Sequence, residues 1–508
     1  MRAKIFEKYY LWFFGAIIVL AIVVRFYKLG SLTSLYWEEV ALGYDAFSIL
    51  KTGRDHHGNF LPIVAFESFG DWKASLYFYA IVPFIQLFGL NVWTVRMPAA
   101  IAGVMTVIGT GKLAYLLKKS KKFQLLVMIL TAINPWAVHF SRAAWEVNLA
   151  TSLLVWGIYF GWKYVQDKKS ALKNLFTSAI LLILAMYTYH AMRMIAPLMG
   201  LSIFVAKLSN TKNLKKFVQT NWQKLGLVLA LVLLLIAPIL LKMTDKKINQ
   251  RFAETSMFSQ IEIIQESNAL REQAGNTIMA RLIYHRYWFY AREILQNMLS
   301  HFNLDFLFIS GDVNPRHSIQ AFGHFYHFEV LFLLLGMFAL FKKKVQKKWL
   351  LGSWIFITLI PVSLTKTTPH ALRILPMMPA MILILGFGLV EFVELFKFKK
   401  VLSLLLVAAY LFEIAWYAHD YLYVYPQQYA SEWQAGYKEI VANINQQRQA
   451  NPDKIIYVSR EKGRPAMYYW FYSQTDPRRV QAAGQEVAQD QGEFLEFENL
   501  RFGDEPGR

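Results

Sequence analysis

The chain has 508 residues, of which 56% are apolar and only 17% are charged, and its formal net charge is +20. This composition excludes an ordinary soluble multidomain protein, because charge-free runs such as LGLVLALVLLLIAPILL (225–241) recur along the chain. The absence of cysteine excludes disulfides and thiolate metal sites. The basic residues cluster between apolar runs, which is typical of cytoplasmic loops and not of a nucleic-acid-binding surface.

Eleven apolar segments are suited to cross a hydrocarbon core about 30 Å thick as helices. In chain order they are residues 9–27, 96–117, 123–138, 147–165, 174–190, 193–208, 225–243, 325–341, 349–365, 374–396 and 401–418. The first is predicted to be a retained span and not a signal peptide, because no small-residue cleavage site follows Val24. The predicted fold class is an all-α polytopic membrane protein with about eleven transmembrane helices, further helices on the outer surface and a small α/β tail.

Lysine clusters separate the apolar segments, and the positive-inside rule places them in the cytoplasm. They are Lys118–Lys122, Lys163–Lys173, Lys207–Lys224, Lys342–Lys348 and Lys397–Lys400. The prediction is therefore a plasma-membrane protein with its N-terminus inside and its C-terminal tail outside. One more apolar stretch, Ser75–Leu90, contains Pro83 and is followed by no lysine cluster. We predict a surface or re-entrant helix there.

This topology divides the chain into a transmembrane domain (1–420) and an extracytoplasmic appendage (421–508). The domain has a first outer loop at 28–95 and a second large outer loop at 244–323. Within the appendage, Glu432–Gln449 is predicted to be a helix and Lys454–Val458 a strand. The acidic end from about Gln485 is expected to be loosely ordered.

The outer hairpin tips carry single arginines, whereas the inner loops carry lysine. These are Arg54, Arg96, Arg142, Arg193, Arg316 and Arg373, several of them near His139, His190, His317 or His370. The arginines could anchor lipid headgroups, and the histidines could cap helix ends. Alternatively the arginines form an anion pocket, since a planar guanidinium binds phosphate or carboxylate oxygens bidentately. The histidine spacings match no zinc motif.

Acidic residues collect in the first outer loop, namely Glu38, Glu39, Asp45, Asp55, Glu67 and Asp71. Carboxylates beside an apolar helix end are costly unless they are exposed, paired or functional. The alternative is a solvated helix start, where acids lie near the positive end of the helix dipole. Adjacent helical residues point about 100° apart, so at most one of the two adjacent glutamates is expected to face a substrate.

These motifs, in this order, resemble the outer loops of bacterial relatives of the protein O-mannosyltransferases. The first loop contains WEEVALGYDAFSILKTGRDHHGNFLP, FESFGDWKASLYFY and FGLNVWTVRMPAAIAG, and later loops contain HFSRAAWEVNLA, FISGDVNPRHS and TPHALRILPMMPA. The resemblance covers residues 9–400 and implies membership of the C superfamily of glycosyltransferases, which includes the lipid A aminoarabinose transferases. Two features depart from the family pattern: Glu38-Glu39 replaces the usual Asp-Glu, and the HPP-type motif of the eukaryotic relatives is missing.

The resemblance implies an inverting transfer of a monosaccharide from a polyprenyl-phosphate donor to a hydroxyl acceptor (protein, lipid or cell-envelope glycan) at the outer membrane face. The resemblance implies an acidic catalytic base at the end of the first span, which is Glu38 or Glu39. Glu38 aligns with the family's catalytic aspartate, and Glu39 would then hold the loop by pairing with a cation such as Arg54 or Lys73. Arg316, His317 and Arg373, with Arg96, Arg142 and Lys73, are expected to hold the phosphate. The remaining predicted substrate-binding residues are Arg54, Asp55, Asp71, His139, Glu146, Tyr189, Arg193 and His370.

No cofactor is expected, although Glu38, Glu39 and Asp45 could bind a divalent metal ion. Membrane lipids are the other expected partners. A transporter or flippase for an anionic lipid-linked sugar, or a non-catalytic binder of one, could use the same arginines. The apolar spans and the absence of repeat symmetry favour the enzyme.

Overall fold

The computed structural model describes residues 2–166, 172–211, 213–242, 245, 255–342, 348–484, 489–490 and 492–503. Parts of three predicted lysine clusters, Lys163–Lys173, Lys207–Lys224 and Lys342–Lys348, lie outside these residues. Within them the chain is predominantly helical, and its larger sheet lies near the C-terminus, as predicted.

The N-terminal part consists of one long helix and the first outer loop. Helix α1 (Arg2–Phe26) is followed by α2 (Trp37–Thr52), the hairpin strands β1 (Ala65–Ser68) and β2 (Asp71–Ala74), and α3 (Leu76–Phe88). Helix α3 contacts both α2 and the next helix, α4 (Val92–Lys118). The helix predicted at Ser75–Leu90 is thus present, and its position relative to the membrane stays a prediction.

The remaining helices up to α18 form the rest of the membrane domain and the second large outer loop. They are α5 (Lys121–Ile133), α6 (Pro135–Phe140), α7 (Glu146–Gln166), α8 (Leu172–Met186), α9 (Met192–Ser209), α10 (Leu214–Lys242), α11 (Ile261–Gln273), α12 (Ile278–Ile283), α13 (Arg286–Ser300), α14 (Glu329–Lys342), α15 (Lys348–Ser363), α16 (Ala371–Ile374), α17 (Met378–Leu395) and α18 (Lys399–His419). Each of the eleven predicted spans overlaps a helix of this set or α1 or α4, although 174–190 extends past the end of α8 and 325–341 begins before α14.

Six helices in the described part of the chain are both long and apolar enough to cross a membrane. They contain Phe6–Phe26, Val92–Lys118, Met192–Ser209, Gln219–Lys242, Ala371–Leu395 and Lys399–Gln428. The prediction of a multi-pass membrane protein is confirmed, and the assignment of its two sides stays a prediction.

Helices α14 and α17 approach each other closely at two glycines. A Cβ atom at Gly388 would lie 1.7 Å from the Phe332 carbonyl oxygen, and one at Gly336 would lie 2.0 Å from the Ile384 carbonyl oxygen. Small residues allow membrane helices to make such backbone contacts. Because the opposing atoms belong to the backbone, they cannot rotate away from a larger side chain.

Gly388→Val is therefore expected to force the two helices apart and to destabilise the protein by at least about 1–3 kcal/mol, the usual range for overpacking. Thermal melting of the purified protein in detergent measures the loss. Gly352→Val is the control, because a Cβ at Gly352 meets no atom within 4 Å. Equal melting temperatures for the two variants would contradict the prediction.

The C-terminal tail continues from α18 through a π-helical turn (Asp420–Val424). Its elements are α19 (Tyr425–Gln428), α20 (Tyr437–Ala450), β3 (Ile456–Val458), α21 (Pro465–Tyr472), α22 (Pro477–Ala483), β4 (Gln489–Asp490), β5 (Glu493–Phe494), β6 (Glu496–Phe497) and β7 (Leu500–Phe502). Strand β7 lies between β3, to which it is parallel, and β6, to which it is antiparallel. The predicted α/β appendage is confirmed.

The expectation of a loosely ordered end is wrong for the described residues after Gln485. Strands β4 to β7 form there because Phe494, Leu500 and Phe502 are buried, and the acidic composition concealed these apolar positions. The tail also shares a core with the first outer loop. The Tyr44 hydroxyl, for example, donates to the Thr475 carbonyl oxygen at 2.9 Å.

Candidate active site

The two adjacent glutamates lie in the first turn of α2 and have different surroundings. The backbone at Tyr36 is extended, so the helix begins at Trp37. The Glu39 side chain is 0% exposed, whereas the Glu38 side chain is 29% exposed. Glu38 is therefore the one of the pair that an incoming molecule can reach.

Glu39 is paired with Arg96 of α4 in a fully buried ion pair. The Arg96 guanidinium makes five hydrogen bonds, to both Glu39 oxygens at 2.8 and 2.7 Å and to three carbonyl oxygens of residues 29–34. The backbone N–H of Ala144 donates to the same carboxylate at 2.7 Å. Since all guanidinium N–H groups are used, Arg96 has none for the phosphate role predicted from the sequence. The expected pairing of Glu39 with Arg54 or Lys73 is also wrong.

Arg142 caps the end of α1. Its guanidinium donates to the carbonyl oxygens of Val24 (2.6 Å), Arg25 (3.2 Å) and Tyr27 (2.7 Å). The carbonyls of Val24 and Arg25 belong to the last turn of α1, and that of Tyr27 directly follows it, where intrahelical partners are missing. Arg142 Nε is buried without a hydrogen-bond partner among the described residues, and contact of Arg142 with the phosphate stays a prediction.

Lys73 is paired with Glu38. It lies on β2, its side chain is only 4% exposed, and its Nζ is 3.1 Å from Glu38 Oε2. The Tyr36 hydroxyl donates to the same oxygen at 3.2 Å. Among the described residues no acceptor makes a well-directed hydrogen bond with this buried ammonium. The pair therefore combines an accessible carboxylate with a cation that has N–H groups to spare.

Arg316 packs on the residues that precede Glu38. Its guanidinium carbon lies 5.5 Å from the Tyr36 ring centre and 5.6 Å from that of Trp37, which is cation–π geometry. Within the described chain its Nη groups have no hydrogen-bond acceptor. His139 fixes the loop, because its Nε2–H donates to the Arg316 carbonyl oxygen at 2.8 Å. His139 thus supports the loop that carries Arg316, and its contact with substrate stays a prediction.

Tyr36 lies at the centre of the charged groups. Burial raises its pKa well above the usual value, and the charges of Glu38 and Glu146 raise the pKa further, whereas Arg316 lowers it. The structure brings three predicted residues together here by direct contacts with one another or with Tyr36: Glu38, Lys73 and Arg316. For Glu146, substrate contact stays a prediction.

Arg54 and Asp55 do not join this site. They follow the opposite end of α2, about 20 Å from Glu38 at 1.5 Å per residue. Arg54 donates to the Gly58 carbonyl oxygen at 2.7 Å, and Asp55 accepts from the Asn59 backbone N–H at 2.8 Å. Both residues close a local turn away from Glu38, and their contact with substrate stays a prediction.

The turn between α8 and α9 holds the hairpin that carries Lys73. His190 Nε2–H donates to the Trp72 carbonyl oxygen at 2.7 Å, and Arg193 Nη2 lies 3.5 Å from the Val64 carbonyl oxygen. Asp71 begins β2 and accepts from the Trp72 N–H at 2.8 Å. For Tyr189, Arg193 and Asp71, substrate contact stays a prediction.

A second polar cluster forms where the loop after α13 meets the start of α16. His317 Nδ1 is 3.2 Å from Asp312 Oδ2, and His370 Nδ1 is 3.9 Å from the same oxygen. Asp312 was missed in the sequence, where it resembled an ordinary loop residue. Burial raises its pKa, but the hydrogen bond and charge of His317 and the charge of His370 lower it, with a net shift downward. Arg373 Nη1 lies 3.4 Å from the Thr367 carbonyl oxygen nearby.

The C-terminal tail also contributes to the site, which the sequence did not indicate. Gln434 Oε1 accepts from the Trp37 backbone N–H at 2.8 Å and from the Tyr468 hydroxyl at 2.7 Å. The Trp433 ring packs edge-on against Tyr36, with ring centres 5.8 Å apart. Gln434 thereby satisfies an N–H at the start of α2, which has no intrahelical partner.

The fold is similar to that of a solved membrane glycosyltransferase, which confirms the resemblance at the level of fold. No family model and no curated protein matches the sequence. Among solved structures, the chain is similar to ArnT from Cupriavidus metallidurans, a lipid A aminoarabinose transferase, bound to undecaprenyl phosphate. The TM-score is 0.56 at 13% identity, covering 94% of this chain and 88% of ArnT. The oligosaccharyltransferase AglB from Archaeoglobus fulgidus scores 0.49 at 14% identity, covering 88% of this chain and 59% of AglB.

Proposed function

We propose that the protein is an inverting glycosyltransferase that moves a monosaccharide from a polyprenyl phosphate to a hydroxyl acceptor at the outer face of the membrane. One observation carries the proposal. A partly exposed carboxylate, Glu38, lies 3.1 Å from a buried ammonium with unused N–H groups, Lys73, in a fold shared with a transferase solved with undecaprenyl phosphate.

Glu38 is the proposed general base. Its carboxylate takes the proton of the acceptor hydroxyl while the hydroxyl oxygen forms a bond to the anomeric carbon. The bond between that carbon and the phosphate oxygen breaks on the opposite face, so the anomeric configuration inverts. We favour Glu38 over Glu39 because the Glu39 carboxylate is buried and already accepts from Arg96 and Ala144.

Lys73 and Arg316 are the proposed phosphate ligands. Negative charge develops on the departing phosphate, and cations held in place beforehand stabilise it without reorganising. Arg316 meets this requirement because its guanidinium is held over Tyr36 and Trp37 while its Nη groups are unused.

The polyprenyl chain is proposed to lie in a groove of about 350 Å³ between α3, α8 and α10. The lining is almost entirely apolar, as a hydrocarbon chain requires, and includes Leu76, Ile183 and Leu234. Ser75, two residues after Lys73, lines the same groove, so a chain lying there would bring its phosphate towards the ammonium.

Arg316→Ala is expected to weaken donor binding about 10- to 150-fold, because a charge-assisted hydrogen bond contributes roughly 1.5–3 kcal/mol. Arg316→Lys should restore only part of the affinity, since an ammonium lacks the planar fork. The measurement is titration of the purified protein with an undecaprenyl-phosphate sugar in detergent. Arg54→Ala, which removes an outer-loop arginine from a local turn, is the control. Unchanged affinity in Arg316→Ala would make this arginine a mere structural contact.

The activity itself is tested by incubating the purified protein with labelled polyprenyl-phosphate sugars and acceptor candidates. The proposal predicts that one donor is consumed and that free polyprenyl phosphate accumulates in equal amount. A transporter in sealed vesicles would instead move the intact donor across the bilayer without releasing polyprenyl phosphate.

A further inference from the structure

We propose that Asp312, His317 and His370 form a binding site for a divalent transition-metal cation of the Zn²⁺ class. Each residue offers one ligand atom, and the three atoms lie within 4.8 Å of one another. In the described part of the chain, no other group of three histidine, aspartate or glutamate side chains has this arrangement. Sequence spacing could not reveal the site, because the histidines come from two separate loops.

An unsatisfied polar atom points to a missing ligand. His370 Nδ1 is buried and has no hydrogen-bond partner among the described residues. Leaving a polar nitrogen buried and unpaired is unfavourable. His370 Nδ1 lies 3.9 Å from Asp312 Oδ2, a distance too long for a hydrogen bond. This distance is close to the roughly 3.3 Å that separates two ligand atoms in a tetrahedral zinc site with bonds near 2.0 Å.

The surroundings of Asp312 resemble the outer shell of a metal ligand. The Ala371 backbone N–H donates to Oδ2 at 2.7 Å, and the Asn314 backbone N–H donates to Oδ1 at 2.9 Å. Such hydrogen bonds orient a ligating carboxylate and hold it in its charged form. The carboxylate is therefore fixed in position before a cation arrives.

The donor set determines the class of cation. Two imidazole nitrogens and one carboxylate oxygen suit Zn²⁺ and related first-row ions, whereas Mg²⁺ and Ca²⁺ prefer oxygen ligands alone. Three protein ligands leave one tetrahedral position for water or another oxygen ligand. The proposed role in transfer rests on the proposed function: the cation joins the loops that carry Arg316 and Arg373 and adds positive charge near the departing phosphate.

The test uses Co²⁺ as a spectroscopic probe for the full-length protein, purified in detergent and stripped with chelator, with no donor present. The expected result is one equivalent of tightly bound Co²⁺ per chain, displaced by Zn²⁺. His317→Gln and His370→Gln should each weaken Co²⁺ binding by at least about 10- to 100-fold. Loss of a residue that only hydrogen-bonds to a metal ligand already has an effect of this size, and loss of a ligand itself should have a larger one. His419→Gln is the matched control, because His419 is an exposed histidine 3.0 Å from Asp420.

Two results would overturn the site: no stoichiometric Co²⁺ binding by the parent protein, or unchanged binding in His370→Gln. Asp312→Asn is not used by itself, since Asp312 also fixes the start of α16. The readout is independent of transfer. Tight Co²⁺ binding in a protein that consumes no donor would support the metal site and refute the proposed function. Sugar transfer by a protein that binds no Co²⁺ would support the proposed function and refute the metal site.

Discussion

Arg96→Met is expected to leave little folded protein. The substitution removes one partner of a fully buried ion pair and leaves the Glu39 carboxylate uncompensated. Breaking such a pair typically costs about 3–5 kcal/mol. The carbonyl oxygens that Arg96 connects to α4 also lose their donors. The measurement is the fraction of monodisperse protein by size exclusion after heating in detergent.

Arg54→Met is the matched control, because Arg54 is exposed and its guanidinium is hydrogen-bonded within a local turn. Surface substitutions of this kind change stability by about 0.5 kcal/mol or less. Glu39→Gln should also destabilise the protein, since it leaves the Arg96 charge buried without its counter-ion. If Arg96→Met were as heat-resistant as Arg54→Met, the ion pair would not hold α2 on α4.

Glu38→Gln is expected to reduce the transfer rate by about 10²- to 10⁴-fold, the usual contribution of a general base. The amide preserves the shape of the side chain but is not basic enough to remove the proton from the acceptor hydroxyl. Donor binding should change little, because Lys73 and Arg316 remain and the carboxylate does not contact the phosphate in the proposed mechanism. Steady-state transfer with a labelled donor measures the rate.

Two further variants distinguish the role of a glutamate as a base from its role in stabilising the fold. Glu38→Asp should retain part of the activity, since it keeps the carboxylate and restores the residue usual in the resembling family. Glu39→Gln should reduce stability more than turnover, because its carboxylate is buried against Arg96. A Glu39→Gln variant that is stable but inactive would assign the base to Glu39 instead.

The positions of the helices were predictable because charge and hydropathy alone separate the spans. Contacts between distant parts of the chain could not be predicted from the sequence. Arg96 and Glu39 are 57 residues apart, and no local pattern distinguishes an arginine that pairs internally from one that binds a ligand. Arg142 presented the same ambiguity, since its contacts with the end of α1 depend on how helices pack.

The tail and the second cluster were missed for related physical reasons. Gln434 reaches Trp37 across 397 residues, so a tail with an unremarkable sequence supports the first turn of α2. Asp312 comes near His370 only because the loop after α13 packs against the start of α16. Glu38 and Arg316 were among the residues predicted from the sequence, because carboxylates beside an apolar helix end and arginines on the predicted outer side are unusual. The same pattern also included Glu39, Arg96 and Arg142, which only the packing of the helices separates from them.

Single-turnover transfer with the donor already bound shows whether the protein is a glycosyltransferase with Glu38 as its base. The parent protein and Glu38→Gln are loaded with the same labelled polyprenyl-phosphate sugar, and acceptor is then added. If Glu38 is the general base, the two proteins load equally, the parent protein transfers rapidly and the variant transfers about 10²- to 10⁴-fold more slowly. Transfer by Glu38→Gln at the parental rate would contradict the assignment of the base, and a loaded parent protein that never releases polyprenyl phosphate would contradict the enzyme itself.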